Sequence, residues 1–203
     1  MEKILEKKER SLGVKLGIKG DRCSSPKCAL TRKPYRAGQH GKKRRRKLSE
    51  YGTQLLEKQK VKFTYGLTER QLRHIYDNAS EKPEATTNEI VRILESRLDN
   101  IIFRAGLASS RPAAKQFISH GHFTVNGRKV TIPSIILKEG DKVAIREESK
   151  NVPELKELPE KLKNFEVPSW LSLNKETLEI IVIGKPVDMP QPFDINMVVD
   201  YYS

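Results

Sequence analysis

Between Thr31 and Lys47 the chain carries nine lysines or arginines and no acid. Arg32, Arg36, Lys42, Lys43, Arg44, Arg45, Arg46 and Lys47 belong to this run, which is interrupted by Pro34, Tyr35, Gly38, His40 and Gly41. Cationic side chains at such density neutralise phosphates and release their counterions, which gives affinity without sequence information. On its own, KKRRRK also reads as a solvated tail or a localisation signal. The preceding PYRAGQHG distinguishes it. Pro34 and Tyr35 stiffen the approach, the glycines allow close backbone contact, and Tyr35 or His40 can stack or hydrogen-bond. Those features suit a shaped RNA better than a free tail.

A second set of donors lies near the middle. SSRPAAKQFISHG reads as a helix capped by Ser110, with Pro112 in its first turn and Gly121 past its end. A spacing of four puts Arg111, Lys115 and Ser119 on one side, expected to face RNA. Ala114, Phe117 and Ile118 share the other side, expected to face the core. His120 and His122 stand where the helix gives way to a strand, and Arg128 lies on the hairpin that follows. Together they make one donor surface, although an ordinary solvated face has the same pattern. Arg97 and Arg104, seven residues apart, add a flank on the preceding helix.

Metal and catalytic chemistry are poorly represented. Cys23 and Cys28 have the spacing of half a zinc site, and His40 is the one plausible addition, leaving the set one ligand short. Two reduced cysteines, with no metal and no cofactor, are expected. There is no phosphate-binding glycine loop, no nucleophile elbow and no metal-binding histidine pair, so no catalytic residues are assigned and the chain is not read as an enzyme.

These groups must be positioned by a modest core. Hydrophobic residues make up 36% of the 203, and charged residues 32%, which argues against one large core. The 39 basic and 26 acidic residues give a net charge of +13 and a pI near 9.7, a field that attracts nucleic acid first. No apolar run is long enough for a bilayer and no basic helix has one broad apolar face, so no membrane partner is expected. Glu2, Glu6 and Glu9 argue against a transit peptide, and an intracellular protein is expected.

Residues 1–47 lack periodicity and read as an extended arm. Leu55, Leu56, Gln59 and Phe63 predict a helix ending at Gly66. Thr68 and Gln71 open another, with Leu72, Ile75 and Tyr76 as its buried stripe. Thr86 and Glu89 form a capping box for a long helix whose apolar face runs through Ile90, Val91, Leu94, Leu98, Ile101, Ile102 and Ala105 to Gly106. HFTVNGRKV is a hairpin around Asn126-Gly127, KEGDKVAIRE adds a turn and strand, and TLEIIVI is a buried strand. Residues 195–202 fit a helix and a strand equally well.

GDRCSSPKC, YRAGQHG, EKQKVKFTYGLTERQLRHIY, LESRLDN, SHGHFTVNGRKV, PSWLSLN and the terminal YYS, in that order, closely resemble the bacterial small-subunit ribosomal protein four, over nearly the whole chain from Gly13 to Ser203. SRLDN through GDKVAI also resembles the RNA-binding module named after that protein. The resemblance implies an α+β fold: a mostly helical first domain with an inserted helix-helix-hairpin module on a small antiparallel sheet. The expected domains are the basic arm 1–47, a helical domain 48–94 completed by 190–203 as a helix, and the module with its sheet extension, 95–189. It also implies direct, early binding to small-subunit rRNA at a multi-helix junction, nucleation of subunit assembly, and a place near the messenger entry and the accuracy region, beside ribosomal proteins five and twelve, on the cytoplasmic ribosome. Zinc-binding members carry a Cys-x-x-Cys pair whose positions fall here on Glu6 and Glu9, so the metal is left out. The competing readings are a free assembly or quality-control factor, and an RNA-modifying enzyme that docks through the module. Too few residues follow the module to hold a catalytic domain.

Overall fold

The computed structural model describes residues 6–43, 47–162, 165–186 and 192–203. The chain divides into two compact units, Met1–Val91 with Met189–Ser203, and Arg92–Asp188.

The first unit corrects the reading of an extended arm. It opens with α1 (Glu6–Leu12), α2 (Asp21–Ser24) and α3 (Ala29–Arg32). None exceeds two turns, too short for an apolar period to show. Glu9 does the organising: it is 1% exposed, and its Oε1 accepts the Leu16 amide at 2.9 Å and the Ile18 amide at 3.5 Å. Those bonds turn the chain so that Leu16 and Ile18 pack with Phe63.

α4 (Glu50–Tyr65) starts where Ser49 accepts the Gly52 amide and stops at Gly66, which is left-handed with φ +60°. α5 (Glu69–Ser80) begins with the expected capping box: Thr68 accepts from the Gln71 amide, and the Gln71 side chain accepts from the Thr68 amide. It buries Leu72, Ile75 and Ala79.

The single long helix expected from Thr86 to Gly106 is two. α6 (Thr86–Glu95) stops, and α7 (Leu98–Arg104) begins after a two-residue break. At the break Arg97 forms a β-bridge with Ile136, the Leu98 amide donates to the Ile135 carbonyl at 2.8 Å, and the Ser96 carbonyl accepts the Leu137 amide at 2.9 Å. A distant loop thus satisfies backbone groups that a continuous helix would satisfy internally. Leu94, Leu98, Ile101, Ile102 and Ala105 are all fully buried, so the apolar period runs through the break unchanged and cannot reveal it.

α8 (Arg111–Ser119) is capped by Ser110, which accepts the Ala113 amide. β1 (Phe123–Val125) and β2 (Arg128–Val130) form the hairpin, with Asn126 and Gly127 both at positive φ, as a type I′ turn requires. β3 (Lys142–Ile145) follows. α9 (Pro153–Lys156) and α10 (Leu158–Lys161) lie in the connector before β4 (Leu171–Asn174) and β5 (Glu179–Val182). The sheet order is β2-β1-β3-β5-β4, with every neighbouring pair antiparallel. Phe123, Val143 and Ile180 are fully buried in it. The fold is α+β.

The last element is a helix, α11 (Asn196–Tyr202), which packs on α4 and α5 of the first unit. The Tyr202 hydroxyl donates to Glu69 Oε1 at 2.8 Å, and the Lys58 ammonium lies 4.0 Å from the Tyr201 ring centre. Burial and the neighbouring Glu69 carboxylate raise the Tyr202 phenol well above its usual range. Among the described residues, no helix is long and apolar enough to cross a membrane.

Candidate nucleic-acid interface

The basic loop is folded on itself. α1 presents Arg10, whose Nε donates to the carbonyls of Lys33 (3.2 Å) and Tyr35 (3.0 Å), and whose Nη2 donates to that of Arg36 (3.2 Å). The same guanidinium lies 5.0 Å from the Tyr35 ring centre, and the Lys42 ammonium lies 5.3 Å from it. Gly41 is pressed against the turn: a Cβ there would meet the Arg36 carbonyl oxygen at 1.9 Å. Gly38, with φ +112°, makes the neighbouring bend. These internal ties leave Arg32, Arg36, His40, Lys42, Lys43 and Lys47 exposed. Arg44, Arg45 and Arg46 lie outside the described residues.

Arg10 was not among the residues singled out from sequence. Its partners are backbone carbonyls 23 to 26 positions away, which no side-chain pattern announces. A planar fork can serve three carbonyls and lie over a ring, and lysine cannot reproduce that geometry. Arg10→Lys is therefore expected to speed limited proteolysis within 33–43 roughly severalfold, as a loop that loses its ties opens more often. Cleavage at the parent rate would contradict the clamp.

Cys23 and Cys28 are both buried and unbridged. Burial pushes the Cys23 thiol up, with Glu9, Cys28 and Glu6 adding to the effect and the Lys19 amide opposing it. The Thr31 amide lowers Cys28. The two cysteines supply half of the four ligands that a structural zinc needs. Among the described residues, Glu9 Oε1 accepts backbone amides while its Oε2 is buried without a hydrogen-bond partner, Glu6 is ion-paired with Arg22 at 3.2 Å, and no group of three or more His, Cys, Asp or Glu is placed to hold a metal. We expect purified protein to carry well under one zinc per chain, and a strong chelator to leave its melting temperature unchanged. One tightly held zinc by elemental analysis would contradict this.

In the second unit, the faces of α8 differ from the expectation. Arg111 and Lys115 are 7% and 5% exposed, whereas Phe117 is only half-buried. Ala114 and Ile118 are fully buried, as expected. Spacing fixes which residues share a side, not which side meets water. Arg111 turns inward because a polar layer on α7 receives it: its Nε donates to Asn100 Oδ1 at 2.8 Å, and its guanidinium lies 4.5 Å from the Phe103 ring centre. Lys115 lies 3.4 Å from Asp99 Oδ2, and burial lowers its pKa despite that carboxylate.

Arg97 and Arg104 belong to the same layer. Arg97 donates from Nε and Nη2 to the two oxygens of Asp99, at 3.1 and 2.8 Å. Arg104 grips both oxygens of Glu95 at 3.0 Å, and Asn100 Nδ2 reaches Glu95 Oε2 at 2.8 Å. Glu95 and Asn100 are fully buried. Of the four cations expected on an RNA-facing surface, Arg111 and Lys115 tie α8 to α7, Arg104 ties α7 to α6, and Arg97 braces the start of α7. Bidentate, desolvated pairs of this kind fix geometry strongly, because leaving one partner unpaired is costly.

The donors that the layer leaves outside are His120, Arg128 and Lys129, all exposed, whereas Ser119, also exposed, donates its hydroxyl to the Lys115 carbonyl at 2.8 Å. His122 is half-buried, with Nδ1 3.0 Å from Ser149 Oγ and its ring edge-on to His120 and Phe117. Burial, with His120 and Arg146 nearby, lowers its pKa, so it is held neutral further down the pH scale than a free histidine. Ser110 is buried and spends its hydroxyl on the helix cap. The arrangement offers neutral and cationic donors at the helix-strand junction.

Comparison with known proteins gives consistent relatives. The family described as Ribosomal protein S4/S9 N-terminal domain matches residues 5–95, and the S4 domain matches residues 96–143. Small ribosomal subunit protein uS4A of Alkaliphilus metalliredigens is 49% identical over 196 residues, covering 96% of this chain and 94% of the relative. Proteins named small ribosomal subunit protein uS4 from Pelotomaculum thermopropionicum and Thermus thermophilus are 45% and 44% identical over the same coverage.

Proposed function

The chain belongs to the family of small ribosomal subunit protein uS4, and from that premise we propose that it binds small-subunit rRNA directly and early and helps nucleate assembly of the subunit. As a member of that family it is a structural, rRNA-binding protein of the small ribosomal subunit, at work in translation on the cytoplasmic ribosome. The observation that supports direct binding is the basic loop. A solvated tail has no need of an arginine clamping three carbonyls or of a glycine that no other residue could replace. Arg32, Arg36, His40, Lys42, Lys43 and Lys47 are its proposed contacts, continued by Arg44, Arg45 and Arg46 on the strength of sequence alone. In the second unit His120, His122 and Arg128 are proposed contacts. Arg97, Arg104, Ser110, Arg111 and Lys115 are proposed to act by holding that surface, through whatever edge each still presents.

A role in decoding accuracy beside proteins five and twelve, near the messenger entry, is part of the same proposal and rests on family resemblance. The test of early binding is reconstitution. Purified chain mixed with naked small-subunit rRNA, without other proteins, is expected to give a saturable one-to-one complex, and its omission is expected to stall assembly of the subunit body. Binding that appears only after other proteins are added would contradict the early role.

A further inference from the structure

One exposed side chain latches the hairpin to β3. The β1–β3 ladder pairs Val125 with Val143, and one residue beyond, the Asn126 amide donates to the Lys142 carbonyl at 2.9 Å. An antiparallel ladder would return that bond from the Lys142 amide to the Asn126 carbonyl. Here the Asn126 side chain takes it instead, with Oδ1 accepting the Lys142 amide at 3.0 Å. The other end of the same amide is held as well: Nδ2 donates to Asp141 Oδ1 at 2.8 Å, and Asp141 is itself fixed because its Oδ2 accepts the Lys138 amide at 2.7 Å. The next residue is Gly127, at φ +78°, with nothing within 4 Å of where a Cβ would stand. Its backbone nitrogen is therefore uncrowded, the condition under which an asparagine amide is open to attack by the following residue.

We propose that Asn126 is a deamidation site gated by this latch, and that its conversion to an acid unlatches the hairpin from β3. In the reaction the Gly127 nitrogen loses its proton to solvent base and attacks Asn126 Cγ. The bond from Cγ to Nδ2 breaks, ammonia leaves, and a five-membered succinimide remains. Water then opens the ring at either carbonyl to give aspartate or isoaspartate, so the net change is amide plus water to acid plus ammonia. While the latch is closed, the amide is tied at both Oδ1 and Nδ2, and Cγ cannot turn toward Gly127 unless both bonds break. The product has no donor to replace Nδ2. Its carboxylate faces Asp141 across the distance of the lost hydrogen bond, where like charges disfavour each other. Lys142 and Arg128 are exposed, so water screens what they could offset. Isoaspartate also lengthens the backbone of a two-residue turn. Either product loosens the hairpin that carries Arg128 and Lys129.

The test is incubation of the full-length chain at mildly alkaline pH, followed by peptide mass spectrometry of the segment that carries Asn126. The arms are the folded parent, the parent in guanidinium chloride, and Asp141→Ala. Conversion is expected to be at least about tenfold faster in denaturant than in the folded parent, because in the fold it must wait for a local opening. Asp141→Ala, folded by its melting curve, is expected to fall between the two. Equal rates in the folded and denatured parent, or Asp141→Ala converting at the folded parent's rate, would overturn the gate. Asn126→Asp reproduces one product directly. It is expected to lower the melting temperature by about 4 to 8 °C, the effect of about one hydrogen bond in a unit of this size. Adding Asp141→Asn returns an amide donor to the latch from the other side and is expected to recover most of that shift. Asn126→Asp melting with the parent, or the double variant melting no higher than the single one, would overturn the unlatching. If Asp141→Ala does not fold, the folded and denatured parent decide the gate, and the Asn126→Asp pair decides the latch.

Discussion

Glu95→Ala is expected to destabilise the second unit by about 3 to 5 kcal/mol, the usual cost of removing one partner from a buried ion pair. Glu95 is fully buried, and both its oxygens receive Arg104 while one also receives Asn100. Alanine would remove both carboxylate oxygens that Arg104 grips and leave Asn100 Nδ2 only the Glu95 carbonyl, at 3.0 Å, at the junction of α6 and α7. Domains of this size are stable by roughly 5 to 15 kcal/mol in all, so the loss would approach or exceed what the unit can spare. Glu95→Gln keeps the shape and one acceptor oxygen and should cost visibly less. Urea denaturation of the three proteins measures the difference, and an alanine variant within about 0.5 kcal/mol of the parent, the range of ordinary surface changes, would contradict a structural role for the layer.

The second large effect concerns the basic loop. Replacing Lys43, Arg44 and Arg45 together by alanine removes about three phosphate contacts if the run lies along RNA, which should reduce the log–log salt slope by roughly 2 to 3 units. At moderate salt that is a loss of orders of magnitude in affinity, without a change in melting temperature. Filter binding across a salt series reads both quantities. An unchanged slope would return the run to the status of a solvated tail.

How far the sequence carried varied with the kind of information each feature needs. Capping residues and turn residues act on their near neighbours, so the Thr68–Gln71 box, the Gly66 stop and the Asn126-Gly127 hairpin were all legible. The break at Ser96–Arg97 was not. It is imposed by backbone bonds to residues 135–137, and the apolar period on either side stays in phase. The same limit applies to α8. The interval of four grouped Arg111 with Lys115 correctly, but the acceptors that draw both inward, Asn100 and Asp99, lie on another helix. In the basic loop, composition pointed to nucleic acid, while the feature that gives the loop its shape is Arg10, a residue with no local signature. Element ends, turns and partner class are thus readable from local pattern and charge, while the α+β architecture came from the family resemblance. Which cations face the partner depends on long-range pairing, and that required the structure.

The central claim is that this chain is a stoichiometric, structural component of the small ribosomal subunit, and sedimentation tests it most directly. Mature small subunits purified through a high-salt gradient, with the chain quantified by mass spectrometry against other subunit proteins, are expected to contain one copy per particle. A chain confined to immature precursors, or absent from mature particles, would contradict that claim and make it a transient assembly factor.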